Sequence, residues 1–322
     1  MLESPSPDPD LSAWLALWPE TAGGRAVLIN LSENHTYRVA APGGASFILR
    51  LHRPGYQSPA AIESELAWIE ALRRAGDVPV PAPVAGRDGR LVQTLADRHG
   101  VLFADQPGRE PRPDEELEEL FRVLGAYAAR MHNHVQGFPL PPGFVRPVWD
   151  AGAILDAGGL WGDWRRAPGV AGPVRQGLAA LEARLRVDLG AYGTAPDRFG
   201  LIHADMRLAN VLVGGAAPRV IDFDDCGFGW FVYDLAAALS FYEHRPEAAA
   251  WRAAWLAGYR RERALAERDL AMVEPMILLR RMALLAWIGS HGETPLAQIH
   301  APSFATDTLR LAEPYLAARA LA

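Results

Sequence analysis

Alternating apolar and polar positions dominate the first hundred residues. Residues 26–32, 36–40 and 46–51 are rich in β-branched and aromatic side chains, and the turn sequence APGGA joins the last two as a hairpin. Ser58 and Pro59 then supply an N-cap and a proline at the first helical position. Ile62, Leu66 and Ile69 follow on one face of a helix that runs to about Ala75. Residues 91–95 and 101–104 read as a second hairpin around ADRHG. The pattern predicts a small antiparallel sheet carrying one helix.

The pattern changes at residues 106–113, QPGREPRP, which lack apolar periodicity and read as a linker. Asp114 then caps a helix with apolar positions at Leu117, Leu120, Phe121, Leu124 and Met131. Val174, Leu178, Leu181, Leu185 and Leu189 mark another. After a strand-rich stretch at 201–223, the rest reads as helix. The predicted architecture is α+β and bilobal: an antiparallel-sheet lobe over 1–105 and a larger, mostly helical lobe over 106–322 with a strand pair embedded in it. Ligands favour the cleft between two such lobes.

Composition narrows the function. Half of the 322 residues are hydrophobic and 22% are charged, which suits a folded core and excludes a disordered chain. A net charge of -6 argues against a general nucleic-acid binder. The chain has no lysine: all 32 basic residues are arginine, so neither a lysine Schiff base nor a Walker A loop is present. The one cysteine, Cys226, forms no internal disulfide and fits a reducing compartment. The start, MLESPSPDPD, is unlike a secretory signal, and the apolar run 276–288 is short and interrupted by Arg280 and Arg281. The expectation is a cytoplasmic protein with neither membrane nor nucleic-acid partners.

The densest polar cluster lies at residues 201–225, LIHADMRLANVLVGGAAPRVIDFDD. Residues 211–213 and 219–221 are short apolar strands joined by GGAAP. Paired as a hairpin, they would put Asn210 and Asp222 on opposite strands at its open end, about 5 Å apart. Two hard oxygen ligands at that span suit Mg²⁺ or manganese rather than zinc, with positions left for phosphate oxygens and water. Asp205 precedes Asn210 by five positions. This H-x-D-x-x-x-x-N spacing matches the loop of phosphoryl-transfer enzymes in which the Asp accepts a hydroxyl proton and the Asn holds a metal. A lone loop Asp more often caps an amide; His203, Asp205, Asn210 and Asp222 together point to phosphoryl transfer.

The segments HADMRLANVL and IDFDDCGFGWFVYDLA, with FILRLHRPG and SELAWIEAL upstream, resemble the aminoglycoside phosphotransferase and choline kinase superfamily. The resemblance implies a protein-kinase-like fold, ATP as co-substrate, Mg²⁺, and transfer of the γ-phosphate to a hydroxyl of a small molecule. It makes Asp205 the catalytic base and Asn210 and Asp222 the metal ligands. It also gives His203 a supporting role and makes Asp234 a buried acceptor for the loop's hydrogen bonds. The stretch MHNHVQGF…GFVRPVWD is similar to the branch holding homoserine-kinase-like and stress-response kinases.

The family usually has a phosphate-binding lysine where Arg50 stands, and arginine can clamp phosphates as a bidentate donor. Glu65, about 60° from the centre of its helix's apolar face, is the natural ion-pair partner for Arg50. A G-x-G-x-x-G loop is absent, and the polar turn with Ser32 and Asn34 takes its place. Residues 103–106, including Phe103 and Asp105, occupy the position of a hinge that meets the adenine edge. Trp149, Trp161, Trp164 and Trp230 offer an aromatic wall for the acceptor. Two other readings of the same fold are a protein Ser/Thr kinase and a non-catalytic nucleotide-binding module.

Overall fold

In the computed structural model, which describes residues 10–31 and 34–320, the run LSAWLA folds as helix α1 (Leu11–Ala16). The strand pattern did not reveal this helix, because six residues are too few to display a periodicity. Burial holds it instead: Trp14 and Leu15 pack into the core, and just after the helix Thr21 Oγ1 donates to Leu15 O at 2.8 Å and Trp18 Nε1 to Val84 O at 3.0 Å. The chain divides into two units. One runs to Gly108 and takes in Leu140–Arg146; the other comprises Arg109–Pro139 and the chain from Pro147 onward.

The first unit is built on strands β1 (Arg25–Leu31), β2 (Asn34–Ala40), β3 (Ser46–His52), β4 (Pro83–Val84), β5 (Val92–Leu95) and β6 (Arg98–Ala104). Their order is β1-β2-β3-β6-β4, with β5 also paired to β6, and each pairing is antiparallel. One face, with Tyr37, Val39, Leu49, Leu51 and Leu102, packs on Trp14, Leu15 and Trp18. Arg50 lies on the other face, as strand alternation requires. The second hairpin turns more tightly than expected: Leu95 pairs with Arg98 and Ala96 takes a left-handed φ of 54°, so RHG belongs to the strand. Helix α2 (Pro59–Ala75) has its expected start, with Ser58 Oγ accepting the Ala61 N–H, and stops at left-handed Gly76. The returning segment Leu140–Arg146 grips this helix: the Val145 N–H donates to Ser64 Oγ at 2.9 Å and Arg146 Nη1 to Ala61 O at 3.0 Å.

The second unit is mostly helical: α3 (Glu118–Gly137), α4 (Ala151–Leu155), α5 (Gly172–Tyr192), α6 (Tyr233–Ala238), α7 (Ala248–Glu262), α8 (Glu267–Leu270), α9 (Val273–Ser290), α10 (Pro295–His300) and α11 (Phe304–Ala320). Its strands are β7 (Val148–Trp149), β8 (Phe199–Ile202), β9 (Val211–Leu212), β10 (Arg219–Val220) and β11 (Gly227–Trp230). Three expectations need correction here. Asp114 caps nothing; its side chain is exposed in a turn, and α3 begins at Glu118. The linker is not free, since Arg109 exchanges both backbone bonds with Val213. Nor is everything after residue 223 helical: β11 pairs antiparallel with β8 and parallel with β7.

Helices α3 and α7 cross in near-backbone contact at two glycines. A Cβ on Gly125 would stand 2.0 Å from Trp255 O, and one on Gly258 would stand 1.8 Å from Arg122 O. Helix α9 is buried from Val273 to Ile288 apart from Glu274, arginines 280 and 281 included. No helix among the described residues is long and apolar enough to cross a membrane.

Candidate active site

The loop that leaves β8 is shaped by one buried carboxylate. Asp234, in the first turn of α6, accepts the Ala204 N–H on Oδ1 at 2.8 Å and the His203 N–H on Oδ2 at 3.2 Å. These bonds hold Ala204 at φ 65°, a left-handed conformation that costs a non-glycine residue about 1–3 kcal/mol. His132 of α3 also donates from Nε2 to Asp234 Oδ2 at 3.0 Å, and its Nδ1 meets Tyr259 Oη at 2.9 Å. Burial pushes the His132 imidazole below its ordinary pKa despite that carboxylate. The neutral ring therefore takes the Tyr259 O–H on Nδ1. Sequence reasoning missed His132; its signal was a histidine within the α3 run MHNHVQG.

His203 takes the supporting place expected of it. Its Nδ1 accepts the Asp205 N–H at 3.3 Å, which leaves Nε2–H to donate to Ile221 O at 3.2 Å. Burial holds this imidazole too below its ordinary value. The ring thus ties the loop to the residue just before Asp222.

Asp205 is buried, and its carboxylate has three donors among the described residues. Oδ2 receives Asn210 Nδ2 at 2.7 Å and Arg207 Nε at 3.2 Å; Oδ1 receives Arg280 Nη2. Arg280 is the site residue the sequence concealed, since it read there only as an interruption of an apolar run. Its Nε donates to Ser240 Oγ at 2.9 Å and its Nη1 to Ala204 O at 3.2 Å. The guanidinium lies 5.1 Å from the Trp161 ring and 5.9 Å from the Tyr233 ring. Burial alone would lower its pKa, but Tyr233, Asp205 and Asp225 outweigh burial and hold it above its ordinary value.

All four tryptophans of the expected aromatic wall are buried in the core. Trp149 meets Trp161 edge-on and stacks on Tyr233, and its Nε1 donates to Asp225 O. Trp164 and Trp230 are engaged elsewhere, donating to Glu182 and to Gly193 O. Of the neighbouring acids, Asp224 is buried and Asp225 half-buried.

Asn210 and Asp222 sit at the end of the β9–β10 hairpin, with a one-residue correction. The ladder pairs Val211 with Val220, and the Ile221 N–H donates to Asn210 O at 2.9 Å. Ile221 therefore opposes Asn210, and Asp222 stands one position beyond, exposed, with a left-handed φ of 62°. The Asn210 amide nitrogen is committed to Asp205 O and Oδ2, so its oxygen is the end left to act as a ligand. An amide oxygen and a carboxylate fit a Mg²⁺ ion that takes its remaining ligands from phosphates and water.

In the first unit the expected pair forms: Arg50 Nη2 meets Glu65 Oε2 at 2.6 Å, both side chains buried. The Arg50 guanidinium also lies 5.3 Å from the Phe103 ring. Asn34 is not a turn residue; it is buried and opens β2 opposite His52. Ser32 lies outside the described residues. Asp105 is not an open hinge, because its N–H donates to Ser46 O and its carboxylate receives Ser46 Oγ and Arg38 Nε. Its polar groups close the sheet's own edge.

A family model described as the phosphotransferase enzyme family matches residues 27–270, from β1 past the hairpin. The chain belongs to this family. It is 27% identical over 214 residues to amicoumacin kinase of Bacillus subtilis (strain 168), a match covering 65% of this chain and 60% of the relative. Homoserine kinase of Gluconobacter oxydans (strain 621H) is 31% identical over 216 residues, covering 64% of this chain and 65% of the relative. The chain thus spans less than two thirds of either relative's length. Among solved structures, the microcompartment-associated aminopropanol kinase superposes with a TM-score of 0.87 at 43% identity, covering 96% of this chain and 97% of that one. Amicoumacin kinase hAmiN, in complex with AMP-PNP, Ca2+ and Ami, shares the fold at a TM-score of 0.76 and 21% identity, over 93% and 92% of the two chains.

Proposed function

We propose that this member of the phosphotransferase enzyme family transfers the γ-phosphoryl group of ATP to the hydroxyl of a small amino alcohol. The observation that carries the reading is the Asp205 carboxylate. It is fixed by three donors, and the Asn210 amide oxygen and the Asp222 carboxylate at the end of the β9–β10 hairpin suit a divalent ion. The acceptor class is supported by the 43% identity, across nearly the whole chain, to a protein named an aminopropanol kinase.

In this reading the acceptor hydroxyl lies against Asp205, which orients it and takes its proton as the oxygen bonds to the γ-phosphorus and the bond to the β-phosphate oxygen breaks. Arg50, kept in place by Glu65, grips phosphate oxygens, and the apolar face around Phe103 receives the base. Asn210 and Asp222 would hold Mg²⁺, which neutralises phosphate charge when bound. No cationic role is needed from His203 or His132.

The test is phosphoryl transfer from Mg·ATP to a panel of aminopropanol, homoserine, choline-like alcohols and an aminoglycoside, read by ³¹P NMR. Aminopropanol should be phosphorylated, and Asp205→Asn should cut turnover by about 10²–10⁴ while sparing nucleotide affinity. Full activity in Asp205→Asn would remove the base assignment. With labelled ATP and an added cell extract, label appearing on proteins rather than on any small acceptor would favour a protein kinase instead.

A further inference from the structure

Residue Ala204 is clamped from two directions. Asp234 takes its N–H, and Arg280 of α9 donates to its carbonyl oxygen. The same guanidinium reaches past that peptide to Asp205 Oδ1. Each of its three nitrogens has a partner, and two rings flank it. Arg280 lies beyond the residues that the family model matches.

A buried ion pair is a poor device for stability alone. Replacing such a pair with apolar side chains of similar volume is often neutral or stabilising. What a planar fork with fixed donors supplies is orientation. Each carboxylate oxygen offers two acceptor directions. On Asp205, Oδ2 already receives two donors, whereas Oδ1 receives, among the described residues, Arg280 alone.

We infer that Arg280 is a positioning residue for phosphoryl transfer: by fixing the Ala204 carbonyl and one side of Asp205 Oδ1, it turns the second acceptor direction of Oδ1 toward the acceptor hydroxyl. The inference rests on the functional reading above and adds a residue to it. Asn210 and Arg207 fill Oδ2, so the proton passes to Oδ1. Arg280 touches neither substrate; it acts through Asp205 and the Ala204 peptide.

The experiment compares wild type with Arg280→Lys, Arg280→Gln and Arg280→Ala, using aminopropanol as acceptor and circular-dichroism melts to establish folding. Arg280→Gln should lower kcat roughly a hundredfold, the scale of a small misplacement of reacting groups, with KM for ATP unchanged. Arg280→Lys should retain more activity than Arg280→Gln, and millimolar guanidinium should restore part of the lost kcat in Arg280→Ala. A merely structural arginine would give neither the kcat-only loss nor the rescue. Should the Arg280 variants fail to fold, Ser240→Ala removes the Nε acceptor, together with the Ser240 O–H bond to Ala237 O, and should lower kcat severalfold at constant KM for ATP. Folded variants with wild-type kcat, or a loss confined to KM, would overturn the positioning role. Wild type inactive on every acceptor in the panel would instead overturn the functional reading itself.

Discussion

Replacing Asp234 with asparagine tests the frame on which the loop depends. The carboxylate accepts three donors: the Ala204 N–H on one oxygen, and the His203 N–H and His132 Nε2–H on the other. An amide keeps one acceptor oxygen. Whichever way it turns, its NH₂ faces a buried donor, and at least one charge-assisted bond is lost. Such a bond contributes about 1.5–3 kcal/mol, and an unsatisfied buried amide costs about 1–3 kcal/mol more, so Asp234→Asn should destabilise by about 3 kcal/mol. For a unit of roughly two hundred residues, at about 2–4 °C per kcal/mol, the melting temperature should fall by about 6–12 °C. Turnover should fall further than stability explains, because the loosened anchor lets the loop shift and carry Asp205 with it. A loss of roughly a hundredfold in kcat, measured well below the new melting temperature by coupled ADP release, is the expected scale. An Asp234→Asn protein that melts and turns over like wild type would refute the idea that this carboxylate sets the loop.

Stability should also decline in mild acid. His132 and His203 are buried with depressed pKa values, so below about pH 6.5 the unfolded chain binds protons that the folded one refuses. Their contribution is whole above that pH and drains away as pH falls toward the folded values; a melting temperature that holds constant from pH 7.5 to 5.5 would contradict this. Gly258→Ala should destabilise by at least about 2–3 kcal/mol, because the new Cβ would meet the Arg122 carbonyl at 1.8 Å and neither helix backbone can yield cheaply. Gly190→Ala, in α5 with open space around it, should instead stabilise by about 0.5–1 kcal/mol. Chemical denaturation of the pair checks both signs.

The sequence revealed most where the chemistry is local. The five-residue step from Asp205 to Asn210, the Ser58-Pro59 helix start and the turn between β9 and β10 are short-range patterns, and the structure keeps all three. Arg50 and Glu65 were also legible, because strand alternation and the helix angle each place one of them on the facing side. Residues whose meaning depends on distant partners were not. Arg280 lies 75 positions from Asp205, and within an apolar run its charge looked like an exception rather than one half of a pair. An arginine in the middle of such a run is itself a signal, since a buried guanidinium demands acceptors. His132 was hidden in the same way, 102 positions from Asp234. Strand β11 escaped because Gly-Phe-Gly-Trp has weak strand propensity and acquires its pairing from β7 and β8.

The path of the chain between its two units has a practical corollary. It changes unit three times, after Gly108, after Pro139 and after Arg146. A gene fragment that stops at Gly108 would encode α2 without the Val145 and Arg146 contacts that brace its first turns, and it is that helix which carries Glu65. Lobe-swapped chimaeras joined at a single point would inherit the same defect, whereas grafts that transplant residues 140–146 together with the sheet would escape it.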